Sequence, residues 1–357
     1  MKVGILTFHR AHNYGAILQA MATRVILTRY GHDAYFVDYW PSYHASQYMY
    51  FSRDRFNHFR SIKSKFGYLY KQVLKRVFLR KRINAFESFI QKNIQPFCKP
   101  TSEKFDVVVI GSDQVWWKNC LWTHQYDPFY FGKNNLRATR QVSYAASMGI
   151  LPNNNEDRII LKDLLSNLDK ISVREDSLLK LVESLGYKCE KHLDPTLLLS
   201  SDEWNNIIPL KKIDEEPYVL FYDLNRNSFD YNEILKFAEK RKLKIKTLVG
   251  SHNQRTGEGI YQFSDPGEFV NLIRGAEFVF SSSFHGMVFS IIYQKEFFAS
   301  FSRNSDRAAT LLEALGIKNR LLVPMSQIEN IANIEYESVM NKMRELRIPS
   351  LNYLQSL

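Results

Sequence analysis

Little in this sequence marks an exported, fibrous or zinc-finger protein. Three cysteines among 357 residues, Cys98, Cys120 and Cys189, stand far apart, in no CxxC or Cys/His spacing. An odd number so placed excludes a disulfide framework and predicts reduced core thiols in a cytoplasmic chain. Gly and Pro, at 15 and 11, are too scarce for a collagen-like or disordered polypeptide. No apolar run reaches the ~18 residues that span a bilayer. The opening MKVGILTF meets His9 and Arg10 before it attains the length of a signal-peptide core. The expectation is a protein neither exported nor integral. D-x-D, G-x-x-x-x-G-K-[ST], G-x-G-x-x-G and H-E-x-x-H are also missing. Their absence argues against metal-dependent sugar-nucleotide transferases, P-loop kinases, dinucleotide dehydrogenases and zinc hydrolases.

What is present is enough apolar sequence, 45%, to bury a large core, in a length that suits two domains. The charged, Pro-bounded stretch IIPLKKIDEEP divides the chain into an expected first lobe, 1–206, and second lobe, 207–357. Positive charge is concentrated. The segment 53–82 holds eleven Lys and Arg against one acid, a net +10 of the chain's +11. Within it Ile62, Phe66, Leu69, Tyr70, Val73, Leu74, Val77 and Phe78 recur at three- and four-residue spacing, which predicts an amphipathic basic helix. Two outcomes are open. The helix packs its apolar stripe on the first lobe and solvates its charges, or it makes peripheral contact with the anionic inner face of the plasma membrane. Confinement of the charge to one segment argues against nucleic acid as a partner.

Strand, helix and strand alternate along the chain. Lys2 to Phe8, Ala34 to Val37, Phe105 to Ile110, Val142 to Ala146 and Ile171 to Arg174 read as strands, with another in Leu193 to Leu199. After the linker come strands at Tyr218 to Tyr222, Lys244 to Val249, Glu277 to Phe280 and Phe297 to Phe301. Intervening helices start behind caps such as Asn13, and a terminal helix over Tyr336 to Arg347 stops before Pro349. Such alternation predicts parallel sheets with right-handed crossovers, in two doubly wound lobes that present ligands at strand C-termini.

Two stretches can carry chemistry. In EFVFSSSFHG an apolar strand runs into Ser281, Ser282 and Ser283 and a helix start, where backbone N–H groups favour an anion. His285 in that first turn can transfer a proton near neutral pH, and Gly286 would let a ligand approach the backbone. Equally, the serines cap a helix and His285 is structural. In KISVRED, Arg174 ends a buried strand, where its guanidinium either grips a carboxylate or phosphate in two places or pairs with Glu175 or Asp176. Asp113, after VVVIGS, is a base or a loop cap, and Asp194 closes a turn with Pro195 or serves the site. Trp116 and Trp117 stack on a sugar or belong to the core.

The strings NYGAILQA, VIGSDQVW, SVRE followed by HLDPT, and SSSFHG occur in an order and spacing that resemble the polysaccharide pyruvyl transferase family over most of the chain. The resemblance implies a GT-B-like α/β fold of two Rossmann-like lobes, expected here with the C-terminal helix packed back on the first. It also implies phosphoenolpyruvate as donor, a glycan or lipid-linked oligosaccharide as acceptor, and essential Arg and His residues that fall on Arg174 and His285. Where the family often carries an Arg two residues before that His, this chain has Ser283, with Arg303 and Arg307 as candidate replacements for the charge. On this reading His285 is the acid, Arg174 the anion clamp and Asp113 the base, and no metal or cofactor is required. Ser281, Ser282, Ser283 and Gly286 cradle phosphate, and His9, Asn13, Tyr14 and Trp116 meet the acceptor. The rivals are a metal-independent GT-B glycosyltransferase using a nucleotide sugar and a non-catalytic basic binding protein.

Overall fold

The computed structural model describes residues 1–48, 51, 53–118, 125–211, 216–224, 228–249, 259–261, 264–301, 306–321, 323 and 325–357. It forms two compact units, Met1–Leu198 with Pro349–Leu357, and Leu199–Ile348. The division falls before the expected 206/207, because helix Ser201–Ile207 packs Trp204 on Phe289 inside the second unit (ring centroids 4.9 Å). The expected linker falls partly on 212–215, outside the described residues.

The first unit holds β1 (Lys2–Leu6), β2 (Asp33–Val37), β3 (Cys98–Lys99), β4 (Lys104–Ile110) and β5 (Arg137–Ser143) in the spatial order β3-β2-β1-β4-β5, all parallel. A short parallel pair, β6 (Ile171–Val173) and β7 (Cys189–Lys191), continues from β5 through isolated bridges at Val142 and Ala146. The central strands are apolar on both faces because helices cover both, and Val3, Ile5, Val108 and Ile110 have no exposure. Helix Tyr14–Arg29 starts where the Asn13 side chain accepts from Ala16 N–H and ends at Gly31, whose φ of +79° is the left-handed conformation that glycine takes freely. It is buried nearly all round.

The second unit repeats the plan with β8 (Tyr218–Tyr222), β9 (Lys244–Leu248), β10 (Ile260–Tyr261), β11 (Phe278–Ser281) and β12 (Glu296–Ala299), ordered β10-β9-β8-β11-β12 and parallel. In each sheet the chain winds outward from its first strand and then returns to pair on that strand's other edge. The switch points therefore lie between β1 and β4, and between β8 and β11, and crevices at strand C-termini open there.

Two expectations fail. Leu193 to Leu199 is no strand but a 3-10 turn, Pro195–Leu198, capped by Asp194, whose Oδ1 accepts from Thr196 N and Oγ1 (3.0 and 2.6 Å). The terminal helix does not stop before Pro349 but runs Tyr336–Gln355. Its last turns pack on the first unit, with Tyr353 Oη donating to the Ser143 carbonyl (2.8 Å) and Leu354 wholly buried. Among the described residues no helix is long and apolar enough to cross a membrane.

Candidate functional site

At the switch point of the first unit, the loops after β1 and β4 are tied together. Thr7 Oγ1 donates to the Ser112 carbonyl (3.0 Å) and accepts from Gln19 Nε2 (2.8 Å), while Ser112 Oγ donates to the Ala145 carbonyl (2.9 Å). Asp113 follows with φ +72°, a left-handed conformation unusual outside glycine. It is half-buried, and its Oδ1 accepts from the Gln114 N–H (2.8 Å). Tyr48 and Tyr130 stand close enough that its charge adds to burial in pushing their hydroxyls far above the ordinary tyrosine range. His9 is wholly buried and stacked on Phe36 (centroids 5.4 Å), with Nε2 3.9 Å from Asp38 Oδ1. Nearby His44 packs on Phe8 and Trp40, and burial lowers its pKa to about 4, so it stays neutral in physiological buffer.

Three first-unit residues do not do what their positions in sequence imply. Tyr14 is buried and accepts through its hydroxyl from Arg82 Nη1 (2.6 Å), so it faces a helix and no acceptor. Trp116 has 1% exposure, stacks on Phe131 and donates Nε1–H to the Tyr130 carbonyl (2.8 Å), which makes it core; Trp117 beside it is exposed. Arg174 is buried between carboxylates, with Nη1 bonded to Asp194 Oδ2 and Nε 3.4 Å from Glu175 Oε1, which also accepts from Ser147 Oγ (2.6 Å). Asp176, the other partner weighed, binds Lys191 instead. These acids hold the guanidinium firmly protonated against the cost of burial. An arginine already matched to two acids is not a vacant anion clamp. Asn13, exposed, is confirmed as the cap of its helix.

At the switch point of the second unit, Asp223 follows β8, and β11 ends at Ser281, the first of the three serines. Ser282 Oγ donates to Asp223 Oδ1 (2.8 Å) and accepts from Leu224 N–H (2.7 Å). Ser281 Oγ accepts from Ser283 N–H (3.1 Å), and Ser283 caps helix Phe284–Ile292 by accepting from Gly286 N–H (3.4 Å). Ser281 and Ser282 are thus engaged in shaping the turn, and the partly exposed Ser283 marks the helix end. A Cβ on Gly286 would overlap Ser281 Oγ; the glycine admits a neighbouring side chain, correcting the expectation of room for a ligand. His285 lies in the first turn, buried, its ring edge-on to Phe284 (5.3 Å, 90°). The Arg307 guanidinium sits 4.8 Å above the same Phe284 ring, bringing a cation to the helix start where Ser283 brings none. Arg303 and Cys120 lie outside the described residues.

The family model of the polysaccharide pyruvyl transferases matches residues 13–305. The chain belongs to that family. It is therefore a transferase, and its fold is GT-B-like. Its fold is similar to that of a structure assigned as a UDP-N-acetylglucosamine 2-epimerase from Listeria monocytogenes, at 10% identity and a TM-score of 0.50, over 99% of this chain and 90% of that one. Weaker likenesses are to a UDP-GlcNAc 2-epimerase from Methanocaldococcus jannaschii (13% identity, TM-score 0.45, 97% and 99% covered) and the glycosyltransferase SnogD from Streptomyces nogalater (11%, 0.42, 100% and 99%). No curated protein matches the chain. Asp38 and Asp223 of this transferase were not among the candidates, yet both stand directly after an apolar strand, in AYFVD and YVLFYD, as Asp113 does.

Proposed function

We propose that this transferase moves the pyruvyl group of phosphoenolpyruvate onto two hydroxyls of a glycan precursor of a cell-surface polysaccharide. The observation that carries the reading is His285 in the first turn of the helix that leaves β11, with the Ser283 cap beside it and Arg307 over Phe284. A helix N-terminus favours a phosphate, and a guanidinium adds to it. The imidazole is the group in that turn whose chemistry suits proton transfer. In the proposed reaction His285 protonates the methylene carbon of phosphoenolpyruvate, which becomes a methyl group. One acceptor hydroxyl adds to C2 and loses its proton to a base. A second hydroxyl then displaces phosphate, the C2–O bond leaving with its electron pair on the phosphate oxygen and the hydroxyl proton departing with it. The ketal is closed with no cofactor. Arg174 is assigned a positioning role in the first unit, holding the turn at Asp194 and the segment at Glu175.

The acceptor is proposed to be lipid-linked and met at an anionic inner membrane face. Helix Ile62–Phe78 favours this: Ile62, Phe66, Tyr70, Val73 and Val77 are 60–74% exposed, so the apolar stripe is turned to solvent, among lysines such as Lys63 and Lys71.

Phosphate release from phosphoenolpyruvate should require a glycan acceptor, and His285→Ala should slow it by ~10² or more while circular dichroism stays native. Phosphoenolpyruvate should raise the thermal midpoint, since a ligand of the native state stabilises it. Stabilisation by a nucleotide sugar and not by phosphoenolpyruvate would make the chain a glycosyltransferase.

A further inference from the structure

Three side chains with different ligand atoms converge along one edge of the first sheet. His9 follows β1, Asp38 follows β2, and Cys98 opens β3 opposite Phe36 of β2. An imidazole nitrogen, a carboxylate oxygen and the thiol sulfur all lie within 4.8 Å of one another. Nothing in the proposed pyruvyl transfer uses them as a set.

The hydrogens at His9 make the cluster informative. Nδ1 lies 3.0 Å from the Thr7 carbonyl oxygen, which can only accept, so Nδ1 carries the hydrogen. In the neutral ring Nε2 is then a bare lone pair, within a side chain of 0% exposure, and no hydrogen-bond partner reaches it. It faces Asp38 Oδ1 at 3.9 Å, where the imidazole, ahead of Arg10, helps hold the Asp38 carboxyl below the usual carboxylate range. The three ligand atoms are close enough together to share one cation. A tetrahedral ion would bond such atoms at ~2.0–2.3 Å. The ring is already oriented as metal-binding histidines are, with its far nitrogen on a backbone carbonyl and its face on Phe36. Arg10 Nη1, 2.9 Å from Asp38 Oδ1, holds the carboxylate in place.

We propose that His9, Asp38 and Cys98 bind one divalent cation of the zinc class. A mixed nitrogen, oxygen and sulfur set suits a borderline-soft ion; Mg²⁺ and Ca²⁺ prefer oxygen shells. A neutral imidazole, one carboxylate and one thiolate cancel the charge of the ion. Ligation exchanges the S–H bond of Cys98 for a sulfur–metal bond and releases one proton to solvent. Three protein ligands leave the fourth tetrahedral position to water.

The test uses the full chain stripped by a chelator, with Co²⁺ as the optical probe and Zn²⁺ as competitor. One equivalent of Co²⁺ should bind with a thiolate-to-cobalt charge-transfer band, and Zn²⁺ should displace it. Zn²⁺ should also slow alkylation of Cys98, followed by peptide mass spectrometry, and leave Cys189 unchanged. Cys98→Ser should abolish the charge-transfer band and weaken Zn²⁺ by on the order of a hundredfold or more, beyond the tenfold to hundredfold loss typical of outer-shell partners. His9→Gln, with its fold checked by circular dichroism, should do likewise. Cobalt bound without the band, Zn²⁺ affinity unchanged in Cys98→Ser, or no binding by the unaltered chain would overturn the site.

Discussion

At Arg174 a guanidinium with 3% of its side chain exposed meets two acids that are themselves 0% and 9% exposed, Asp194 and Glu175. Removing one member of such a buried set leaves charge without a counterpart. Arg174→Ala should therefore lower stability by about 3–5 kcal/mol, seen as an earlier urea midpoint, and any loss of turnover in it reflects the fold first. Arg174→Lys keeps the charge but not the planar fork, and should recover part of the loss. An unchanged midpoint in Arg174→Ala would return this residue to the donor. The position of Arg174 at a strand end was legible in SVRED. Its main partner was not, because Asp194 lies 20 residues on and reaches it only when β6 and β7 have paired.

Among the elements, helix Ile62–Phe78 turns apolar side chains to solvent. Amphipathic periodicity was plain in the sequence, but period alone is silent on whether the apolar stripe meets protein. Here Ile62, Phe66, Val73 and Val77 meet solvent. Sedimentation with liposomes should rise with anionic lipid, fall with salt, and weaken in Lys63→Glu/Lys71→Glu, each charge contributing ~1 kcal/mol near the surface. Equal partition onto neutral and anionic vesicles, or burial of the stripe in a dimer detected by light scattering, would sink the membrane reading. The terminal helix teaches a related point. Pro349 removes one backbone donor, which predicts a stop, yet the helix continues because Ser350, Tyr353 and Leu354 beyond it are buried on the first unit, with Ser350 Oγ accepting from Leu193 N–H (2.9 Å).

For the whole molecule, the last nine residues belong to a unit whose other part ended at Leu198. Tyr353 covers Tyr144 and His192 (centroids 5.9 and 4.6 Å), and burial lowers the His192 pKa to about 4. Deleting Pro349–Leu357 should uncover these rings and lower the calorimetric midpoint of the first unit, by roughly 2–4 °C for each kcal/mol lost in a unit of this size. Tyr353→Phe, which removes only the bond to Ser143, should cost about 1 kcal/mol. An unaltered transition after the deletion would mean that the segment is no part of the first unit's core.

Local sequence was enough to identify what each element needs. Continuous apolar runs at β1, β4, β8 and β11 required burial on both faces, hence parallel sheets under helices, and their alternation with helices required two doubly wound units. Side chains such as Asn13 and Ser283 marked helix starts, because the orphan N–H groups there need an acceptor nearby in the chain. Tertiary structure alone decided which neighbour each side chain obtained. It put Ser281 where a ligand was expected at Gly286, gave Trp116 to Phe131 and Tyr14 to Arg82, matched Arg174 to Asp194, and brought His9, Asp38 and Cys98 from three strands to one edge. Periodicity reports that a position is buried; the identity of its contact depends on strand order and register, which couple residues too distant in sequence for any local pattern to record.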